Sequence, residues 1–331
     1  MQLIVSINLI YNSAMKHIKI AVLMDDIASI NPKKDSSLAM MLEASRRNWS
    51  IFTFDTQNMF AMNGDVYANA SKTTVNDSPN NWFHKDSTQT LPLKEFDVIL
   101  MRKDPPFDMD YIYATYLLEQ AENDGTYVVN KPQSLRDANE KLFSLNFPKC
   151  IPETLVSANI TQIKAFIEQQ KVAVVKPLDG MGGKDIFKLT HGDDSVDKIT
   201  NYLTNNGNRQ IIVQKFIKEI VKGDKRILLI DGEPIDYALA RMPAKGSFKG
   251  NLAAGAKGIG QPLSRQDRYL CKQVSKVLKE KGLVFVGLDV IGDFITEINV
   301  TSPTCIRELD SQFNLNIASE LFDFIEQKIR T

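Results

Sequence analysis

Val284-Phe285-Val286-Gly287-Leu288-Asp289-Val290-Ile291-Gly292-Asp293-Phe294-Ile295-Thr296-Glu297-Ile298-Asn299-Val300-Thr301-Ser302-Pro303-Thr304 is the stretch on which the fold of this chain turns. Two apolar, β-branched runs flank Gly292-Asp293, a dipeptide suited to a tight hairpin turn, so two antiparallel strands are expected here. Side chains alternate along a strand, which puts Glu297 and Asn299 on one face, and Asp289 on the partner strand can lie opposite them. Two carboxylates and a carboxamide oxygen make an all-oxygen donor set, suited to a hard cation such as Mg²⁺ that keeps waters and substrate phosphates in its shell. Either the hairpin is a metal platform, or Asp289 and Glu297 are the solvent face of a half-exposed ribbon.

Upstream of the hairpin a helix is expected from Ser264 to Lys281, preceded by residues 243–260, which hold five glycines and three lysines without periodicity. A loop this long in a compact domain is more often functional than idle, and the two readings are a mobile lid over a reacting centre or a plain surface loop. Before it, strands Ile227–Ile230 and Ile235–Arg241, joined at Asp231-Gly232-Glu233-Pro234, bring Arg226 and Arg241 onto neighbouring strands, with Asp224 in the preceding turn. The strand Gln210–Ile217 offers a backbone edge with which an adenine can pair.

Val172-Ala173-Val174-Val175-Lys176-Pro177-Leu178-Asp179-Gly180-Met181-Gly182-Gly183-Lys184-Asp185-Ile186-Phe187 is glycine-rich next to a lysine, but it is not a Walker loop. Asp185 follows Gly183-Lys184, Leu178 lies five positions before Gly183, and the turn joins strand to strand, so no helix amino terminus faces a phosphate. It reads as a flexible flap whose amides close over a triphosphate, with Lys176 on the strand beneath.

The amino-terminal part has a doubly wound pattern: strand His17–Met24, helix Ser36–Arg47 capped by Ser36 or Ser37, then strand Ile51–Phe54. The turn Asp25–Lys34 lacks Gly-x-Gly-x-x-Gly, which sends the nucleotide elsewhere. Residues 61–95 are weakly patterned and expected to be short edge strands and loops. Strand Phe96–Met101 ends in Arg102-Lys103-Asp104-Pro105-Pro106-Phe107-Asp108; two cations at a strand's carboxyl end suit an anionic substrate, and a solvated basic turn is the equal alternative. Helix Asp110–Asn123 and strand Tyr127–Asn130 follow, then a helix from Ser134 through Phe143 with Lys141 on its last turns. A closing helix is expected over Asn316–Lys328.

Of 331 residues, 43% are hydrophobic and 24% charged, and 40 basic side chains balance 40 acidic ones, so no global field points to nucleic acid or a charged partner. Cys150, Cys271 and Cys305 fit neither a disulfide framework nor a zinc site, and with only three histidines no Cys-His nucleophile is indicated. Cys305 is expected to be structural and the chain cytoplasmic. No apolar run approaches a membrane span. Met1–Ala14 lacks the basic region of a signal peptide and is simplest as an extension ahead of a start at Met15.

With these residues assembled, the chain resembles the ATP-grasp superfamily and, within it, the prokaryotic glutathione synthetases over nearly all of residues 16–331. The match is carried by Ile99-Leu100-Met101-Arg102-Lys103-Asp104-Pro105-Pro106-Phe107-Asp108, Val129-Asn130-Lys131-Pro132-Gln133-Ser134-Leu135-Arg136-Asp137, Lys176-Pro177-Leu178-Asp179-Gly180-Met181-Gly182-Gly183, Gly250-Asn251-Leu252-Ala253-Ala254-Gly255, and Thr296-Glu297-Ile298-Asn299-Val300-Thr301-Ser302-Pro303-Thr304-Cys305-Ile306-Arg307-Glu308. The resemblance implies an α/β chain with an ATP-grasp fold. Beyond the 1–14 extension, a doubly wound substrate domain over 15–137 precedes two subdomains that clasp ATP. These are 138–216 with the flap 179–185, and 217–331 with the lid 243–260 and the hairpin 284–300.

It also implies roles. Lys141, Lys176, Gly180, Gly182 and Gly183 meet the phosphates; Gln214, Lys215, Phe216, Ile217 and Asp224 hold the rest of ATP; Asp289, Glu297 and Asn299 bind Mg²⁺, with Mn²⁺ as a substitute. Arg226 and Arg241 are the catalytic cations, and Arg102, Asn251, Ser302 and Arg307 contact substrate. The implied reaction phosphorylates the cysteinyl carboxylate of γ-glutamylcysteine and lets the glycine amine attack the acyl phosphate, in a homotetramer. Two alternatives stand beside it. Another ATP-grasp carboxylate–amine ligase, such as a peptide or D-alanine ligase, would share hairpin and flap but not the Arg-Lys-Asp-Pro-Pro and Gly-Asn-Leu-Ala-Ala-Gly strings. A non-catalytic ATP-binding regulator would be expected to lose part of the metal set or an arginine.

Overall fold

The computed structural model describes residues 17–103, 106–244, 246–250 and 257–330. Met1–Ala14, Asp104, Pro105, Lys245 and the Asn251–Ala256 part of the lid lie outside them.

The first layer is a seven-stranded sheet built from β1 (Lys19–Leu23), β2 (Ser50–Phe54), β3 (Met59–Met62), β4 (Asp65–Val75), β5 (Phe83–Pro92), β6 (Val98–Met101) and β7 (Tyr127–Val129), with helices α1 (Ser36–Arg46), α2 (Met109–Asn123) and α3 (Pro132–Asp137). Its order is β3-β4-β2-β1-β6-β7, with β5 paired to β4; β2, β1, β6 and β7 run parallel. β1 and β6 are apolar almost throughout because both faces are covered, as parallel strands require.

Residues 61–95 are not short edge pieces: β4 and β5 are eleven and ten residues long and antiparallel. The alternation in β4 is carried partly by alanines, Ala68 and Ala70, and β5 is exposed over most of its length, so neither gives a strong apolar period. The α1 cap also differs from expectation. Asp35 accepts from the Leu38 N–H, while Ser36 and Ser37 are buried in the first turn, where they accept from the Ile306 N–H and from Arg102. Lys141 is not helical either, since α3 stops at Asp137. Asn139 then captures the Lys141 and Leu142 N–H groups with its own side chain, the local competition that ends helices.

The second layer is a four-stranded antiparallel sheet, β10-β9-β11-β8, from β8 (Thr154–Ser157), β9 (Val172–Pro177), β10 (Phe187–Thr190) and β11 (Ile211–Lys215), backed by α4 (Ile160–Gln170) and α5 (Ser195–Leu203). It has its own apolar core, including Ile163, Ile167, Val175, Leu189 and Val213.

The third is a five-stranded antiparallel sheet, β14-β13-β12-β15-β16, from β12 (Asp224–Ile230), β13 (Glu233–Met242), β14 (Lys257–Pro262), β15 (Phe285–Ile291) and β16 (Phe294–Asn299), with α6 (Arg265–Glu280), α7 (Ile306–Phe313) and α8 (Ile317–Ile329). Two expectations shift here. Asp224 begins β12, opposite Arg241, instead of sitting in a turn, and Lys257–Gly260 of the expected lid belong to β14, paired with β13. The first and third layers share cores: Leu23, Phe96 and Ile99 cluster with Ile227, Leu288 and Ile298. Asn130 joins them through polar contacts, donating to the Phe285 and Val300 carbonyls and accepting from the Phe285 N–H. A separately cored second layer thus faces a composite body, and the cleft lies where they meet.

Candidate active site

The hairpin expected at 284–300 is β15–β16, turning at Gly292-Asp293 with Gly292 at φ 57°. Register pairs Asp289 with Glu297 and Gly287 with Asn299, so the three oxygen donors lie together. A register shift follows directly, between Asp289 and Val290. Gly287 has to be small: a Cβ there would stand 2.9 Å from the Arg226 Cδ and 3.0 Å from the Pro303 Cβ.

Arg226 and Arg241 converge as their strands suggested. Arg226 donates to Asp289 through Nε (2.6 Å) and Nη2 (3.1 Å), and the Arg241 Nη2 lies 2.9 Å from Asp289 Oδ2 and 2.6 Å from Asp224 Oδ2. Burial pushes the Asp289 carboxyl up, but the two guanidiniums outweigh it and hold it well below the usual carboxylate range. Glu297 is governed alike: burial is outweighed by Lys141 and Lys176, whose ammonium groups lie 3.7 and 3.1 Å from Oε1. Asp224 goes the other way. Burial raises it to about 6 in spite of Arg241, and its Oδ1 is buried with no hydrogen-bond partner among the described residues. Such an orphaned acceptor, lining a cleft, is placed for a ligand donor.

Asn299 donates through Nδ2 to the Gly287 carbonyl (3.2 Å), so its Oδ1 is the atom that could face a cation. Two ionised carboxylates and one carboxamide oxygen fit a hard divalent ion. Three oxygen donors leave room in a divalent ion's shell for water and phosphate.

The flap joins β9 to the antiparallel β10, and Gly182 and Gly183 take φ of 66° and 79°, a region open to glycine. It is held at both ends. Asn139 Nδ2 donates to the Leu178 carbonyl (3.1 Å) and Lys141 Nζ to the Gly180 carbonyl (2.7 Å); across the cleft, Lys249 Nζ donates to the Gly183 carbonyl (2.8 Å). The cleft is lined by Lys176, Gly180, Gly182, Gly183, Gln214, Lys215, Phe216, Ile217, Asp224, Arg226, Arg241, Asp289, Glu297 and Asn299. Lys141 does not line this cleft; it lines an adjoining pocket with Asn139, Leu178 and Gly180, and its ammonium group lies 3.7 Å from Glu297 Oε1.

This geometry has a counterpart in known sequences. Residues 18–136 match the model of the prokaryotic glutathione synthetase N-terminal domain and residues 140–314 that of the prokaryotic glutathione synthetase ATP-grasp domain. The chain belongs to the prokaryotic glutathione synthetases. It is 52% identical over 313 residues to the glutathione synthetase of Pseudomonas putida, covering 95% of this chain and 99% of the relative. It is 50% identical over 313 residues to that of Escherichia coli O127:H6, with 95% and 99% covered. Among solved structures, D-cycloserine synthetase DcsG superimposes with a TM-score of 0.64 at 14% identity, over 92% of this chain and 99% of that one. The ATP-grasp ligase PsnB complexed with minimal precursor, Mg and ADP gives 0.59 at 16%, over 95% and 98%. At those identities the structures speak for the fold, which is ATP-grasp; membership of the glutathione synthetases makes the chain an ATP-grasp ligase.

Not every expected residue meets in the cleft. Arg102 is buried, donating to Ser37 Oγ (3.0 Å) and the Pro303 carbonyl (2.9 Å), and Ser302 Oγ donates to the Arg102 carbonyl (3.3 Å). Lys103 pairs with Asp25 and, at 3.2 Å, with Asp55. Arg307 binds Asp77 (2.6 Å) in a separate groove, and Asn251 lies outside the described residues. Conversely, the cleft also takes Phe248, Lys249, Gly250 and Thr296, which sequence reasoning did not single out. The first three stand in the lid, where glycine and lysine content and the family string from Gly250 give no sign of their individual contacts. Glu140 was also missed: burial and the nearby Glu297 push its carboxyl up, and the Thr301 hydroxyl donates to it at 2.7 Å.

The three cysteines are buried thiols. Among the described residues no helix is long and apolar enough to cross a membrane.

Proposed function

We propose that this ligase joins γ-glutamylcysteine to glycine at the expense of ATP, giving glutathione, ADP and phosphate. The observation that carries the reading is the Arg226–Asp289–Arg241 cluster beside Glu297–Lys176 in one cleft, closed by a glycine flap. A carboxylate attacking a γ-phosphate brings two anions together, so the site needs fixed cations. Lys141, Lys176 and the amides of Gly180, Gly182 and Gly183 take the phosphates. Arg226 and Arg241, oriented by Asp289 and Asp224, hold the attacking carboxylate against the phosphoryl group.

The base and sugar occupy Gln214–Ile217 and Asp224. Because the Lys215 and Phe216 amides already donate to the Glu153 and Val172 carbonyls, base pairing there falls to carbonyls of this stretch and the Ile217 amide. A Mg²⁺ ion, or Mn²⁺ in its place, held by Asp289, Glu297 and Asn299 would neutralise charge between the phosphates. Arg102, Ser302, Arg307 and Asn251 are assigned to the peptide and glycine, which requires a closer approach of Arg307 than its pairing with Asp77.

The carboxylate oxygen displaces ADP, and the amine then displaces phosphate from the acyl carbon; no side-chain nucleophile enters. An acyl phosphate has to be shielded from water, the task of the lid over 243–260. The division at 137/138 and 216/217, a homotetramer and a cytoplasmic location complete the reading.

The test is ADP release by purified protein with Mg-ATP, γ-glutamylcysteine and glycine, each omitted in turn. The reading expects release that needs both acceptors, with glutathione formed. Nucleotide binding without turnover would contradict it.

A further inference from the structure

Three consecutive lid residues touch three different walls of the cleft. Phe248 packs edge-to-face on Phe216, with centroids 6.5 Å apart and planes at 77°. Lys249 holds the flap at Gly183. Gly250 sits so close to β12 that a Cβ would stand 2.4 Å from the Asp224 Cβ. The last two contacts flank the charged part of the cleft, whereas the first lies at the other end. The Phe216 amide bonds the Val172 carbonyl, four residues along β9 from Lys176, a separation of about 13 Å at strand rise. The cleft lining also includes the apolar side chains of Val174, which pairs with Gln214 two residues before Phe216, and of Ile186 and Ile220.

A lid that served only to cover phosphates would need no aromatic side chain over the far end. Two rings at nearly right angles form an apolar corner that can offer surface to a planar ring, and the Lys188 ammonium lies over the Phe216 ring, 4.3 Å from its centroid. The geometry points to Phe248 as the lid's own contact with the nucleobase: an aromatic clip, Phe216 with Phe248, that makes lid closure depend on the base and not on the phosphates alone. Phe248 is then a determinant of nucleotide affinity. The inference rests on the nucleotide reading of the cleft given above.

The test is equilibrium titration of the full chain with ADP and, separately, with inorganic tripolyphosphate, which has charge but no base. Phe248 is half-buried at the cleft edge, so its replacement leaves the cores untouched. Phe248→Ala is expected to weaken ADP about tenfold, in the range of a lost base–aromatic contact, and to leave tripolyphosphate unchanged. Phe248→Tyr restores ADP binding. In turnover, the KM for ATP rises by the same factor while kcat at saturation stays within about twofold. Unchanged ADP affinity in Phe248→Ala overturns the inference, as does an equal loss for ADP and tripolyphosphate, which would place the residue's effect in closure alone. A wild-type chain that binds neither ligand overturns the nucleotide reading itself, a different result from either.

Discussion

Lys176, on the second layer, lies 3.1 Å from Glu297, on the hairpin of the third, and this contact spans the cleft between two separately built bodies. Both side chains are largely buried, at 7% and 18% exposure, so each depends on the other's charge. Glu297→Gln removes a metal donor and the counter-charge together. It is expected to raise the Mg²⁺ concentration for half-maximal activity about tenfold or more and to lower kcat at least as much. Activity titrated with Mg²⁺ checks this; an unaltered Mg²⁺ requirement would remove Glu297 from the metal set.

Arg226 bonds Asp289 at two points, a geometry a lysine cannot reproduce. Arg226→Met leaves a buried carboxylate with only Arg241, at an expected cost of about 3 kcal/mol in urea unfolding, with activity lost. Arg226→Lys retains the charge and should recover much of the stability but little of the activity. Equal recovery of both would show that charge alone matters.

Gly250→Ala places a methyl group where the Asp224 Cβ is 2.4 Å and the Arg241 carbonyl 3.1 Å away, so the lid cannot seat. The fold tolerates this, and Tm is expected to stay within about 2 °C, a loss too small for a core defect. The reaction does not tolerate it: more ADP is expected per glutathione, because the acyl phosphate meets water. An unchanged ratio of the two products at reduced rate would remove shielding from the lid's role.

Glu43 ties α1 to α8. Burial pushes its carboxyl up, but hydrogen bonds from Arg46, Arg47 and Asn316 outweigh burial and bring it from 4.5 to about 2. A carboxyl lowered on folding adds stability that is complete above the unfolded value and lost as pH falls through the folded one. Glu43→Gln is expected to cost about 2–3 kcal/mol near neutral pH, allowing for the exposed position of Arg46, and little by about pH 2. A cost independent of pH would contradict the ion-pair origin.

The hairpin and flap were legible because their signals are local. Period-two alternation around Gly292-Asp293 puts Asp289, Glu297 and Asn299 together, and the spacing of Gly180, Gly182 and Gly183 has few structural uses. Other features depend on partners far along the chain. Nothing near Arg102 announces that Ser37 and Pro303 will bind it, 65 and 201 residues away. The core shared by the first and third layers is likewise invisible to periodicity, which reports that a residue is buried but not against what. The apolar pattern runs a helix on through Lys141, because the Asn139 side-chain bonds to the Lys141 and Leu142 N–H groups leave no mark in it. Phe248 stands in a loop without period, where an aromatic residue gains meaning only once Phe216 is seen beside it.

The most direct test of the central claim, that the arginine–carboxylate cluster directs a carboxylate onto the γ-phosphate, follows oxygen atoms. γ-Glutamylcysteine labelled with ¹⁸O in its cysteinyl carboxylate is turned over with Mg-ATP and glycine, and the released phosphate is analysed by mass spectrometry. Transfer through an acyl phosphate predicts one labelled oxygen in the phosphate for every glutathione formed. Phosphate free of label, with both labelled oxygens accounted for elsewhere, would contradict it.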